Sequence, residues 1–271
     1  MRRLIVGIAL VLACCSDVRG VRLQQATAIA EDGGLTPRLL DSGRYRILSY
    51  ERPGPAGGVL TIYFEGDGRA WVNPWQPSTD PTPTDPIGLK LAAADPLRPL
   101  VYFARPCQFV GTEGCDNSLW TGARLSNEIV ETYQRLIDAA MQRTGSTRLG
   151  LVGYSGGGAL ATLIAERRAD VAWLVTVAAD LDLTEWVRLK RLAPLPGSLN
   201  PAEYANRIDR LPQIHLTGSD DTVVPPAVAE AFLRLFPKSS AARLIVVPGF
   251  EHECCWADAW RRMIGALDIR R

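Results

Sequence analysis

The chain has 271 residues, 47% of them apolar and 22% charged, with a formal net charge of +1; this is an ordinary globular composition, long enough for one large domain. That balance, with no basic block, excludes electrostatic capture of nucleic acid as its main business. Beyond the first residues no apolar run is long enough to span a bilayer.

Arg2 and Arg3 precede an apolar stretch over 4–12, too short for a transmembrane helix and ordered like an export signal. Its end, Val11-Leu12-Ala13-Cys14, resembles the lipobox of bacterial lipoproteins. The resemblance implies a signal peptide over 1–13 and lipidation of Cys14 as the mature first residue. Cys15, where some lipoproteins carry aspartate, resembles the pattern of those sent on to the outer membrane, facing the periplasm. A soluble periplasmic or secreted chain is the alternative. Residues 14–40 then read as a tether and 41–271 as the folded domain.

Strand-like apolar runs follow at 45–50, 59–64, 100–104, 149–152, 171–177, 214–217 and 244–247, with helical patterning between them. The clearest helix covers 125–141, where Leu125, Ile129, Tyr133, Leu136 and Ile137 share one face. This alternation predicts an α/β fold with a mostly parallel central sheet and helices on both faces. Two stretches interrupt it. The proline-rich interval 72–88 follows the loop Glu65-Gly66-Asp67-Gly68, and Trp71 and Trp75 at its start are candidate pocket residues. Residues 181–211 have room for a small cap only, which predicts an accessible pocket and a modest substrate.

The chemistry concentrates at Gly153-Tyr154-Ser155-Gly156-Gly157, a G-x-S-x-G run between an apolar strand and a small-residue helix. Such a turn lifts the serine clear of the sheet, and its glycines remove the Cβ atoms that would collide. A serine hydroxyl needs a base, and the chain has two histidines. His215 lies within a strand, which favours a structural role. His252 follows the strand 244–247 and the turn Pro248-Gly249, on the edge where open α/β sheets assemble their sites. Asp221, just beyond the strand of His215, is the acid that would orient the imidazole. Asp220 is its nearest rival, with Asp180 and Asp182 behind.

The order Ser155, Asp221, His252, the stretch Gly218-Ser219-Asp220-Asp221-Thr222-Val223-Val224-Pro225 and the turn into His252 together resemble the α/β-hydrolase superfamily from about Tyr45 to Trp260. The resemblance implies a serine hydrolase that acts on a carboxylic ester, thioester or amide through an acyl-enzyme, without a cofactor. It also implies an oxyanion hole of backbone N–H groups at Gly156 and at Asp67, with Gly68 next. Here Glu65 stands where relatives commonly carry histidine. Acyl transfer on the same fold, or a non-catalytic envelope binding protein, are the alternative functions.

Export into an oxidising compartment makes Cys107, Cys115, Cys254 and Cys255 disulfide candidates, and no metal-ligand spacing competes for them. Cys107 with Cys115 is slightly favoured. That leaves Cys254 with Cys255, whose Cα atoms across a trans peptide would be about 3.8 Å apart, below the usual range of about 4.4–6.8 Å. Cross-pairing of the two segments stays open.

Overall fold

A computed structural model describes residues 18–269; the expected leader and Cys14 lie outside the described residues. Helix α1 (Val18–Asp32) and strand β1 (Thr36–Asp41) open the fold. This corrects the sequence-based boundary, which left residues up to 40 as a tether. Helix α1 has no continuous apolar stripe to betray it: Ala26 and Ala30 are its buried side chains. The Thr27 hydroxyl meets the Tyr50 hydroxyl at 2.9 Å. Just beyond the helix, Gly33 approaches so closely that a Cβ there would sit 2.6 Å from the Ala93 Cβ. Strand β1 is a mostly exposed edge, paired antiparallel with β2 (Arg46–Arg52), so burial gives it no alternating signature.

The remaining elements are β3 (Val59–Phe64), a hairpin of β4 (Trp71–Asn73) and β5 (Gln76–Pro77), α2 (Ile87–Ala94), β6 (Leu100–Phe103), α3 (Asn127–Thr144), β7 (Arg148–Tyr154), α4 (Gly156–Ala165), β8 (Val171–Val177), α5 (Leu183–Lys190), β9 (Gln213–Gly218), α6 (Pro226–Leu233), β10 (Ala242–Val247) and α7 (Trp256–Ala266). Eight strands form one sheet in the order β1-β2-β6-β3-β7-β8-β9-β10. The six strands from β6 to β10 in that order are parallel, while β2 runs antiparallel to β6. One core fills the face covered by α3, α4 and α6, and a second fills the face under α1, α2 and α7. Strand β3 serves both, with Leu60, Ile62 and Phe64 turned to the first and Tyr63 to the second, as the period-2 geometry of a strand requires. Each such fully buried side chain contributes about 1.5–3 kcal/mol.

Helix α3 begins where Ser126 accepts from the Ile129 N–H and ends at Gly145 with φ 65°, the left-handed residue a helix terminus favours. The interval 181–211 holds α5 and two short 3-10 turns (Pro201–Glu203 and Ala205–Ile208). The parallel strands deliver the loops at 65–68, 155, 180, 221 and 252 to one edge of the sheet.

Candidate active site

Ser155 links β7 to α4 with φ 50° and ψ −127°, a backbone conformation costly for a residue with a side chain. The turn is locked from every side: the Ser155 N–H donates to Val177 O at 2.9 Å. A Cβ on Gly153 would lie 2.2 Å from Gly157 O, and one on Gly157 would lie 2.4 Å from Glu65 O. Only glycine fits at either position.

His252 Nε2 is 3.1 Å from Ser155 Oγ, and His252 Nδ1 is 2.8 Å from Asp221 Oδ2. Asp221 is buried, and its Oδ1 accepts the N–H groups of Val223 and Val224, each at 2.8 Å. Its carboxylate is therefore aimed by its own loop. Tyr154 braces the imidazole from below: its hydroxyl donates to His252 O at 3.1 Å, and the rings are 5.4 Å apart. Burial, the largest cause, pushes the Tyr154 pKa well up, so its hydroxyl stays protonated. Trp256 Nε1 donates to the carbonyls of Glu251 and His252, both at 3.0 Å.

The competing residues go elsewhere. His215 lies buried between Thr176 Oγ1 at 2.8 Å and Gln213 Oε1 at 3.0 Å. Burial lowers its pKa to about 3, which keeps it neutral. Asp220 accepts from the Ser219 hydroxyl, and Asp182 caps α5. Asp180 pairs with Arg124 and not with either histidine.

The loop after β3 is denser in charge than its sequence suggests. Glu65 is buried and accepts from the N–H groups of Gly66, Gly88 and Leu89 and from the Tyr102 hydroxyl, at 2.9–3.1 Å. It thereby ties this loop to the first turn of α2, where a carboxylate is favoured. Burial raises its pKa, against the pull of those four donors. Asp67 carries its carboxylate over Gly156, where a Cβ would come within 2.4 Å of both oxygens. Two guanidiniums hold it there: Arg105 Nη1 at 3.2 Å and Arg124 Nε at 2.7 Å. Arg124 also binds Asp180 and lies over the Trp186 ring, 5.0 Å from its centroid. Burial alone would lower the Arg124 pKa, but the charges of Asp67 and Asp180 outweigh it and the net shift is upward. For Asp180 burial prevails over Arg124, and its pKa is raised. Among the described residues, neither the Gly156 N–H nor the Asp67 N–H has an acceptor. Gly68, with φ 66°, turns the loop so tightly that a Cβ would lie 2.1 Å from Pro81 O.

Above Ser155 opens a cavity of about 510 Å³ whose walls include Trp71, Trp120, Trp186, Tyr154 and Val223. Its floor carries Asp67, Arg124 and Asp180. Trp75 is corrected from a pocket candidate to a residue at the tip of the β4–β5 hairpin, 89% exposed and outside the cavity lining. The sequence carries no sign of Arg105, Arg124 and Trp120, none of which sits in a motif, while Trp186 belongs to the cap interval 181–211. The cap reaches the acid loop through Trp186 Nε1, which donates to Val223 O at 2.9 Å. Cys107 is bonded to Cys115, with Cα atoms 6.5 Å apart. Cys254 is bonded to Cys255 across a cis peptide, with Cα atoms 3.1 Å apart.

No protein-family model matches the sequence, and no curated protein matches it significantly. Solved structures do. Est1E from Butyrivibrio proteoclasticus superposes with a TM-score of 0.59 at 12% identity, over 84% of this chain and 97% of its own. A putative lipase from Acinetobacter baumannii gives 0.58 at 13%, over 96% and 94%. The esterase domain of a Rhodothermus marinus protein gives 0.54 at 15%, over 86% and 96%. The chain has the α/β-hydrolase fold. In this chain the turn after β7, the loop after β9 and the loop after β10 meet at one edge, and Ser155, His252 and Asp221 lie there in hydrogen-bonding order. Glu65, where the resemblance implied histidine, is held instead by the first N–H groups of α2.

Proposed function

We propose that the chain is a serine hydrolase acting on a carboxylic ester, with thioester and amide as related substrates. The observation that carries this reading is the unbroken chain from Ser155 Oγ through His252 to Asp221, under an open cavity. His252 Nε2 takes the Ser155 proton as Oγ adds to the carbonyl carbon, and Asp221 steadies the imidazolium through Nδ1. Charge then gathers on the carbonyl oxygen, where the Gly156 and Asp67 N–H groups receive it. Collapse breaks the bond to the alkoxide, which leaves with the proton from Nε2. A water deprotonated by the same nitrogen adds to the acyl carbon, and collapse of this second intermediate breaks the bond to Oγ, releases the carboxylic acid and returns the proton from Nε2 to Ser155.

The Asp67 carboxylate would repel that oxyanion if it were free. Arg105 and Arg124 neutralise it and hold it over Gly156, so its backbone can donate while its side chain does no harm. A cavity of about 510 Å³ with tryptophan walls suits a modest acyl or alcohol group. The lipobox-like end of the leader supports the further reading that the enzyme is exported and anchored through Cys14.

A fluorophosphonate tests the nucleophile directly. The wild-type chain is expected to label and Ser155→Ala to remain unlabelled; labelling that persists in the variant rejects the assignment. A series of p-nitrophenyl esters of increasing acyl length then measures the pocket.

A further inference from the structure

Two of the segments that line the cavity, at Trp71 and at Val223, carry or adjoin apolar side chains that the fold leaves uncovered. On one side the β4–β5 hairpin carries Trp71, Val72 and Trp75, which are 47%, 46% and 89% exposed. The hairpin has a defined shape: the Trp75 N–H donates to Asn73 Oδ1 at 3.0 Å, and the Ser78 N–H closes its base on Ala70 O at 2.9 Å. Across the mouth, Val223 and Leu192 are 45% and 43% exposed. Their segments are joined by Lys190, whose ammonium donates to Thr222 O. Exposed Arg69, Lys190 and Arg191 belong to the same two segments, and the exposed carboxylates Asp85 and Glu253 also line the cavity. Scattered exposed apolar residues are ordinary, but two tryptophans and several aliphatics around one opening, interleaved with cations, are not. Tryptophan beside basic side chains suits the headgroup level of a bilayer, and the three cations, set against the two carboxylates Asp85 and Glu253, leave this face positive, as an anionic bilayer requires.

The amino end of the described chain lies on the same side. In the first turns of α1, Arg19 Nε is 3.2 Å from Asp80 Oδ2, and Arg22 donates to Thr82 O at 2.9 Å. That 80–82 segment runs beside the hairpin base, where the Arg69 N–H donates to Pro81 O at 3.0 Å. An anchor on Cys14 would be four residue steps from Val18, at most about 14 Å of extended chain.

We propose that this face docks on an anionic lipid bilayer. The hairpin tip enters the headgroup layer, and the cavity mouth turns toward the membrane to take esters that partition there. The inference rests on the anchoring and hydrolase readings above for its context and on the hairpin for its geometry.

The full-length chain is added to vesicles of phosphatidylglycerol and phosphatidylcholine, the latter brominated on its acyl chains. Trp75 emission is the difference between wild type and Trp75→Phe. Bromolipid is expected to quench that difference signal, and aqueous iodide to leave it largely intact. Quenching by iodide and not by bromolipid overturns the proposal. Trp75→Ser is also expected to slow hydrolysis of a long-chain p-nitrophenyl ester embedded in the vesicles several-fold, with p-nitrophenyl acetate turnover unchanged. Equal effects on both substrates, or on neither, count against docking. Ser155→Ala removes both activities and keeps the bromolipid quenching, so failure of the hydrolase reading leaves this one measurable. The mass of the amino-terminal peptide reports separately on lipidation of Cys14.

Discussion

On the β9–β10 side of Ser155, Asp221 and His252 are held by short hydrogen bonds from their own loops. Around the loop after β3, two carboxylates and two guanidiniums arrive from four separate segments: Asp67, Arg105, Arg124 and, from beyond β8, Asp180. In the proposed reaction the first half moves protons and needs one donor–acceptor chain in the right order. In the same proposal the second leaves two N–H groups facing a developing anion while a carboxylate lies against one of them. Its difficulty is electrostatic, and the remedy is charge pairing in a buried setting, where an unpaired partner is costly.

The largest expected effect breaks the proton-moving half. His252→Ala should lower kcat on p-nitrophenyl acetate by about 10⁴-fold or more. Asp221→Asn should also lose most activity, since the amide no longer fixes the imidazole tautomer. Retention of kcat within tenfold in His252→Ala, measured at several pH values, would be incompatible with general-base catalysis by this residue.

The two halves also differ in how far they could be read from the chain. Ser155, Asp221 and His252 each sit in a short motif with a local cause: glycines around the elbow, an Asp aimed by the two residues after it, a histidine just past a strand. His215 could be set aside because it lies inside a strand. The quartet had no such trace. Arg124 precedes α3 by a few residues, Arg105 follows β6, and their common target Asp67 follows β3, so the sheet order alone brings them together. Glu65 looked like a departure from the fold's pattern until α2 supplied its partners. The helix α1 went unread for a related reason, since it packs through two alanines. Trp75 looked like a pocket residue from sequence proximity, yet a hairpin carries it outward.

The second prediction sharpens the electrostatic half. Arg124→Gln leaves Asp67 with one guanidinium and should lower kcat by about 10²-fold, the scale of one lost oxyanion donor, with KM little changed. Adding Asp67→Asn to the same chain should restore most of it, because the uncompensated charge is gone. Arg105→Gln, alone and with Asp67→Asn, provides the same comparison should Arg124→Gln fold poorly. Absence of rescue in both pairs would reduce the arginines to structural supports.

A buried carboxylate at the far end of α4 tests whether pairing is what permits buried charge in this fold. Glu166, at the carboxyl end of α4, is 6% exposed and neither Oε atom has a hydrogen-bond partner. Burial, the largest cause, raises its pKa to about 9, against the opposing pull of Arg207 and Arg167. Between its unfolded value near 4.5 and about 9, the folded chain holds one proton more than the unfolded chain, so this group lowers stability as pH rises through that window. Glu166→Gln should remove the slope, with no gain below pH 4.5 and at most about 3 kcal/mol at pH 7. Urea midpoints of both chains at pH 5, 7 and 9 measure it; parallel curves would mean that Glu166 is already ionised.

The two disulfides fall one on each half and should behave differently. Cys107–Cys115 closes a loop of separation 8 that contains Gln108, which donates to Gly66 O and accepts from the Arg105 N–H, both at 3.0 Å. Cys107 itself has φ 70°, a conformation the cross-link helps to hold. Replacing both with serine should cost about 2.5 kcal/mol by the chain-entropy estimate and should also depress kcat, since Arg105 loses its footing beneath Asp67. Cys254–Cys255 joins neighbours and closes only an eight-membered ring of the unfolded chain, so the same estimate assigns it far less stability. Its replacement should leave the melting temperature nearly unchanged, and any loss of activity must come through the adjacent His252 loop. Thermal unfolding of the two double-serine chains, each with kcat on the same ester, decides the matter. A larger drop in melting temperature for the Cys254 and Cys255 pair would mean that the histidine half depends on a covalent constraint more than on its hydrogen bonds.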